Sequence, residues 1–330
     1  MKRMTMAVGC GVAAVAGLAA LAHVGTRECG FIDIWLGLSG CTASLTVADI
    51  AITGSTLALD RDGHLVMLGN RYAETPRSNQ MKLTTHVVRI DWRTGREVTR
   101  MEPPFLGRID QLQLPPDGDS MAIACNASYT CELLEYGQDS DNDYPAALAL
   151  LDGDGAIAWS GFAPRRTNQP SSEGRAFDLG FSADGMAVVA GDAGFVAADG
   201  SALDGPMPVS ASANATLLTD QQIELAGAVQ SLDLPDGFVP FRYLQTTRSP
   251  DGARIATLSR RFAGEGLPRA VLQVWSVETG TMLVRHEIDT DLAQALAWQA
   301  DGQAVFVTTA PPRQPGASTQ IRSYVADARS

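Results

Sequence analysis

The stretch RSPDGARIATLS, residues 248–259, combines a polar lead-in, a tight turn and an alternating apolar run. Pro250 fixes φ at a value that suits a type I turn, and Gly252 can adopt the left-handed conformation that closes a bulged hairpin. The residues after the turn alternate in polarity as a half-buried strand does. The stretch therefore predicts two antiparallel strands joined at Asp251 and Gly252.

The same turn recurs along the chain at intervals of about 50 to 67 residues. Asp-Gly pairs stand at 62–63, 117–118, 184–185, 251–252 and 301–302. A second turn with glycine follows most of them, at 94–95, 154–155, 199–200 and 279–280. Each repeat thus reads as strand A, turn, strand B, loop, strand C, turn and strand D. Four-stranded meanders with this period are typical of β-propeller blades. We therefore predict an all-β chain that folds as a β-propeller of four-stranded antiparallel blades over residues 43–330.

The number of blades and the way the ring closes follow from the repeat lengths. Six blades would take about 48 residues each, near the period of such repeats, and five or seven are also compatible. ATLLTDQQIELAGAVQSLDLP, residues 215–235, is a candidate for one degenerate blade. The last repeat supplies only three strands, ending in TQIRSYVAD at 319–327. We predict that residues 43–50 add the fourth strand and close the last blade.

Two short motifs resemble known propeller repeats. SPDG at 249–252 followed by VWSVETG at 274–280 resembles the repeat of WD40-like bacterial β-propellers, although Trp-Asp is absent from the chain. DWRTGR at 91–96 is similar to the quinoprotein or YVTN-type propeller repeat. The first resemblance implies a binding module, and the second leaves a dehydrogenase open.

Composition narrows the classes of function. The 330-residue chain has a net charge of −12 and a pI near 4.7. An acidic protein of this kind lacks the basic footprint that nucleic acid requires, and it is repelled by anionic membrane surfaces. The sequence also lacks the common hydrolase, zinc-protease and phosphate-loop motifs. We interpret His64, His86 and His286 as structural, and we predict no catalytic residue and no cofactor.

The N-terminus predicts export. Lys2 and Arg3 precede an apolar segment at 6–18, and Ala20-Leu21-Ala22 resembles a cleavage site. Residues 1–24 are therefore a signal peptide or a retained transmembrane helix. Either reading places the rest of the chain outside the cytoplasm, periplasmic or anchored to the inner membrane with the propeller on the periplasmic side. Contact with the membrane would be made through this N-terminal segment.

The cysteines agree with that location. Cys10 lies in the exported segment, and four cysteines remain, an even number that predicts disulfides in an exported chain. The sequence neighbours are the economical pairs, Cys29 with Cys41 and Cys125 with Cys131. The first pair would make residues 25–42 a disulfide-closed apolar linker before the propeller.

Long connections accumulate on one predicted face of the ring. Those between strands B and C, at about 70–84, 126–145, 260–268 and 309–319, are long, whereas the A–B and C–D turns on the other face are tight. Tyrosine and arginine are favoured interface residues. The predicted interaction face contains Tyr72, Tyr129, Tyr136, Tyr144, Arg260, Arg261 and Phe262. In one of these loops Asp139, Asp141 and Asp143 alternate as Ca²⁺ ligands can, but a solvated acidic loop is the simpler interpretation.

These features together predict an exported, non-catalytic module for protein interaction or assembly. Its partner would be another protein, membrane-associated or periplasmic, and neither nucleic acid nor a small cofactor. The alternative is a propeller enzyme, a quinoprotein-like dehydrogenase or a hydrolase, with an active site on the axis of the ring.

Overall fold

A computed structural model describes the propeller region in segments and shows only β-structure there. The described residues are 41–74, 81–103, 105–107, 111–115, 120–126, 131–133, 146–162, 179–181, 187–190, 195–197, 216–219, 221–225, 227–240, 245–261, 269–288, 293–309 and 314–327. They contain 24 strands. Within these segments no helix is long and apolar enough to cross a membrane. The predicted N-terminal segment, residues 1–24, and the linker up to residue 40 lie outside them.

The described strands include four meanders of four antiparallel strands each, as predicted for blades. Two of these meanders are separate four-stranded sheets, and the first two are joined into one eight-stranded sheet by a parallel pairing of Ser55 with Gln111. The first blade contains β2 (Ala51–Leu59), β3 (Leu65–Glu74), β4 (Met81–Asp91) and β5 (Arg96–Met101). The second blade contains β7 (Gln111–Gln113), β8 (Met121–Asn126), β10 (Ala146–Leu151) and β11 (Ile157–Phe162). The penultimate blade contains β18 (Gln245–Arg248), β19 (Arg254–Arg260), β20 (Ala270–Ser276) and β21 (Met282–Ile288). The closing blade contains β22 (Ala293–Trp298), β23 (Ala304–Thr309), β24 (Thr319–Val325) and β1 (Cys41–Val47).

The remaining strands form smaller sheets. One three-stranded meander contains β12 (Leu179–Phe181), β13 (Ala187–Ala190) and β14 (Phe195–Ala197). Another contains β15 (Thr216–Thr219), β16 (Gln222–Leu225) and β17 (Ala228–Ser231), where the sequence predicted a degenerate blade. Strands β6 (Phe105–Gly107) and β9 (Cys131–Leu133) pair with each other. Four blades are complete within the described segments, so the count of six stays a prediction.

The N-terminal strand closes the ring as predicted. β1 pairs antiparallel with β24, with Leu45 opposite Ile321 and Val47 opposite Thr319. The Thr319 hydroxyl donates to the Ile50 carbonyl at 2.7 Å and accepts from the Ile52 amide at 2.9 Å. Because β1 comes from the opposite end of the chain to β22–β24, the closing blade joins both ends of the propeller. The chain is therefore an all-β propeller.

Apolar cores between successive blades hold the ring together. The core between the penultimate and closing blades includes Leu258, Leu272 and Val305, all fully buried. The next core, between the closing and first blades, includes Phe306, whose ring meets that of Trp92 edge-on at 5.2 Å. A third core joins the first and second blades. The fourth packs Ile223 and Leu225 of β16 against the penultimate blade.

The A–B and C–D turns lie on one side of the ring, which we call the turn face. At the turn quoted above, the Gly252 amide donates to the Ser249 carbonyl at 2.8 Å and the Ser249 amide to the Arg254 carbonyl at 2.9 Å. Gly252 has φ +72°, the left-handed value that the sequence predicted. The same φ sign occurs at Gly63, Gly95, Gly155, Gly280 and Gly302. The predicted turns at 117–118, 184–185 and 199–200 lie outside the described residues.

Candidate functional site

The opposite side of the ring, the loop face, contains the B–C and D–A connections. In the first blade β3 and β4 stay paired as far as Glu74 and Met81, although the sequence predicted a loop over about 70–84. Residues 65–70 of β3 are buried, but Arg71, Ala73 and Glu74 are exposed. Antiparallel pairing of β3 with β4 thus continues beyond the buried part of the strand into solvent. This excursion is therefore a projecting β-hairpin.

Tyr72 lies in this hairpin and not in a loop. It is opposite Leu83 and half-buried. The prediction that it belongs to a loop is wrong, because the pairing of β3 extends beyond the apolar part of the strand. Tyr72 nevertheless lies at the loop face, so its place in the interaction face stays a prediction.

The long connection of the second blade contains a strand of its own. β9 lies between β8 and β10 and pairs with β6, so that Phe105 is opposite Leu133. β6 belongs to the connection between the first and second blades, so two neighbouring connections of the loop face are tied together. Tyr129, Tyr136 and Tyr144 lie outside the described residues, as do Asp139, Asp141 and Asp143. The Ca²⁺ interpretation stays a prediction.

The arginines of the predicted face are part of the blade framework. Arg260 is the last residue of β19, not a loop residue, and its Nη1 donates to the Ala293 carbonyl of β22 at 3.2 Å. The Arg261 amide donates to the Arg269 carbonyl at 3.0 Å and extends the same hairpin. Arg260 thus joins the penultimate blade to the closing blade, and the prediction of a loop beginning at residue 260 is wrong. Phe262 lies outside the described residues.

The cysteine pairs are only partly within the described residues. Cys41 begins β1, is 1% exposed and is disulfide-bonded, to a partner that is not described. Cys125 lies in β8 and Cys131 in β9, with only their backbones described. Both predicted pairings therefore stay predictions.

A group of buried polar side chains lies at the base of the projecting hairpin. Asn70, Thr85 and His86 are each 2% exposed, and the Thr85 hydroxyl donates to Asn70 Oδ1 at 3.3 Å. His86 Nε2 is 3.2 Å from Thr84 Oγ1. Its Nδ1 lies 3.8 Å from Glu102 Oε1 and has no hydrogen-bond partner among the described residues. Glu102 itself is 66% exposed.

Charged side chains of the first blade surround this group. Arg100 donates from Nη2 and Nε to both carboxylate oxygens of Glu97, at 2.7 and 3.0 Å, and from Nη2 to the Ala48 carbonyl at 3.3 Å. These hydrogen bonds lower the pKa of Glu97. Burial, assisted by the positive charges of Arg100 and Arg71, outweighs the nearby carboxylates and lowers the pKa of His86. The imidazole is accordingly neutral at pH 7.

Sequence reasoning missed this group because its members come from different strands. Thr84, Thr85 and His86 form a polar run at the start of an otherwise apolar strand, and that run was the only signal available. Arg100 and Glu102 come into place only through the pairing of β5 with β4.

On the turn face, acidic residues serve the turns, as the sequence predicted. Asp60, Asp62 and His64 have potential ligand atoms within 4.8 Å of one another. However, Asp60 Oδ1 accepts from the amides of Asp62 and His64 at 3.0 and 2.8 Å, which fixes the turn. Asp152 does the same for Asp154 and Ala156 in the second blade. The recurrence of this arrangement identifies the carboxylates as turn-forming groups.

The three histidines that were interpreted as structural all lie in the framework of the blades. His64 follows the first turn, His86 is in β4 and His286 is in β21. Each has a hydrogen bond or close polar contact within the framework of the blades.

Comparisons with known proteins add little beyond these observations. No family model matches the chain, and no curated protein matches it. Among solved structures it is similar to the β-propeller domain of Cps50 (Swd1) from Myceliophteria thermophila, with 13% identity and a TM-score of 0.41, over 86% of this chain and 99% of that one. Membership of the WD40-like bacterial family therefore stays a prediction from the repeats.

Proposed function

We propose that the protein is a non-catalytic interaction module that binds another protein through its loop face. The propeller fold is consistent with this role. The observation that carries the proposal is the contrast between the faces. Hydrogen bonds close the described turns of the turn face within a few residues, whereas on the loop face a hairpin projects and neighbouring connections pair. In repeat folds, elaborated connections on one face commonly form the binding surface.

The chemistry of the described loop face suits a protein partner. Tyr72 offers an aromatic ring beside the exposed side chains of Arg71 and Glu74, and Asp49 and Glu102 add exposed carboxylates. Mixed aromatic and charged surfaces are typical of protein interfaces with polar rims. Together with the net charge of −12, they favour a partner with a basic contact surface.

We further propose that the module acts outside the cytoplasm. This part rests on the sequence of residues 1–24 and on the even number of cysteines beyond them. The partner is then periplasmic or membrane-associated. Alkaline-phosphatase fusions to the propeller should be active in a bacterial host if the chain is exported, and inactive fusions would contradict this.

Affinity capture with matched variants tests the interaction. The loop-face variant carries Tyr72→Ala, Tyr129→Ala and Tyr136→Ala. The control carries Arg96→Ala and Glu278→Ala, both exposed on the turn face. Each is used as bait against membranes of the native host, after its melting temperature is shown to match that of the unaltered chain. We expect the loop-face variant to lose its specific partner and the control to retain it. Retention by the loop-face variant together with loss by the control would overturn the placement.

A further inference from the structure

Two buried histidines lie on the two flanks of the closing blade. His86 projects from the first blade and is 2% exposed, and His286 projects from the penultimate blade and is 8% exposed. His86 shares a face of β4 with Val88 and Ile90, which pack into the core against the closing blade. His286 reaches the closing blade directly. The closing blade, which joins the two ends of the propeller, thus has a buried imidazole from a neighbouring blade on each side.

His286 makes its contact through one ring nitrogen. Its Nε2 is 2.9 Å from the carbonyl of Val325 in β24, and because a carbonyl only accepts, Nε2 is the donor. The ring lies 5.4 Å from that of Tyr324. Arg285 and Glu287, its neighbours in β21, point to the opposite face of the strand, where Arg285 pairs with Asp233 and with Glu287. The hydrogen bond satisfies Nε2 of a neutral ring, and the burial of the side chain disfavours a second proton on it.

The surroundings of His86 also favour the neutral ring. The groups that face it are Glu102, beyond the end of β5, Arg100 and Glu97 of β5, and Arg71 of β3. Arg100 already binds Glu97 and the Ala48 carbonyl, while Asp49 acts on Arg100 from the connection between β1 and β2. Glu102 is the nearest carboxylate, but at 3.8 Å it is not hydrogen-bonded to Nδ1. A protonated His86 would therefore carry a buried charge that Glu102 and Glu97 favour and that burial, Arg100 and Arg71 together oppose more strongly.

We propose that mild acid loosens the ring at the closing blade, by protonating His86 on one flank and His286 on the other. A charge at His86 gains a hydrogen-bonded carboxylate only if Glu102 moves inward from 3.8 Å, and it is relieved of burial only if the end of β4 opens toward solvent. At His286 the Val325 carbonyl favours a charge but burial opposes it more strongly, so the charge is relieved if β21 separates from β24 enough to admit water. Both movements weaken contacts of the blade that completes the ring.

The direction in which stability depends on pH follows from the lowered pKa values of the two histidines. Burial lowers the pKa of His286 in the folded protein, and burial is also the main cause of the lowered pKa of His86. In the unfolded chain both titrate near 6.5. Their stabilising contribution is therefore complete above about pH 6.5 and declines as the pH falls below that value toward the folded-state pKa values.

The test compares melting temperature at pH 7.5 and pH 5.5 in the unaltered chain, His86→Gln with His286→Gln, and the control His64→Gln. His64 lies at the turn face, where its amide donates to Asp60 Oδ1 in the turn between β2 and β3. We expect the unaltered chain and the control to lose several degrees more between the two pH values than the double variant does. An equal loss in the double variant would overturn the proposal.

Two measurements on the unaltered chain keep the test decisive if the double variant does not fold. Histidine side-chain NMR should show two rings that titrate below 6.5, and their titration at or above 6.5 would contradict the proposal. Hydrogen exchange at pH 5.5, corrected for the intrinsic rate, should accelerate first in β1, β24 and β21. Acceleration that begins in the second blade instead would also contradict it.

Discussion

The turn face and the loop face are the two ends of the same strands, yet different constraints act on them. On the turn face the chain reverses within a few residues, and glycine conformation, aspartate side chains and backbone hydrogen bonds fix each reversal. On the loop face β3 runs on past the apolar core, where Arg71, Ala73 and Glu74 are exposed around the half-buried Tyr72. The comparison shows that local turn chemistry fixes the described reversals at one end of the ring, whereas strand pairing beyond the core shapes the other end.

The largest expected difference in the free energy of unfolding comes from truncating one aromatic side chain near each face. Phe306 is 1% exposed and packs on Trp92 near the turn face, whereas Tyr72 is half-buried in the projecting hairpin. We expect Phe306→Ala to lower the free energy of unfolding by about 3–5 kcal/mol, and Tyr72→Ala by less than about 1 kcal/mol. Urea denaturation followed by tryptophan fluorescence measures both. Equal losses would remove the distinction between the faces.

A smaller effect should follow from a single turn glycine. Gly95 has φ +69°, and a Cβ added to it would meet no atom within 4 Å, so substitution tests the conformation alone. Gly95→Ala should lower the free energy of unfolding by about 1–2 kcal/mol, because an L-residue is strained in the left-handed region. A variant as stable as the unaltered chain would show that this turn does not constrain the blade.

The smallest effect is expected at the corresponding position of the loop face. Asp49, in the connection between β1 and β2, has φ +58° without being glycine. Asp49→Gly relieves that strain but makes the unfolded chain more flexible, so we expect a change of less than about 1 kcal/mol. Thermal and chemical denaturation should both show a stability close to that of the unaltered chain. A large loss would mean that the loop face is as strictly specified as the turn face.

Local chemistry explains how much of this fold could be predicted from sequence. Asp-Gly and Thr-Gly turns specify their own geometry, so Gly252 and Gly280 are left-handed as expected, and the three strands of the last repeat required a fourth from the N-terminus. The extent of β3 and β4 was not predictable, because hydrogen-bonded pairing continues where the apolar pattern stops. Likewise β9 depends on a partner, β6, from another blade connection.

The candidate site was predicted less well for a related reason. Arginine is a residue type that interfaces favour, but the contact of Arg260 with the Ala293 carbonyl depends on how two blades pack. His86, Arg100 and Glu102 converge only through strand register. Residue types alone suggested the interaction face, and three-dimensional pairing decided which of its described side chains are exposed.

Photo-crosslinking from matched positions on the two faces tests the central claim most directly. A photoreactive amino acid is placed at Arg71 or Glu74 on the loop face and at Arg96 or Glu278 on the turn face, all exposed. Crosslinking in intact cells of the native host is followed by mass spectrometry. We predict one specific protein adduct from the loop-face positions and none from the turn-face positions. A specific adduct from the turn face, with none from the loop face, would contradict the account.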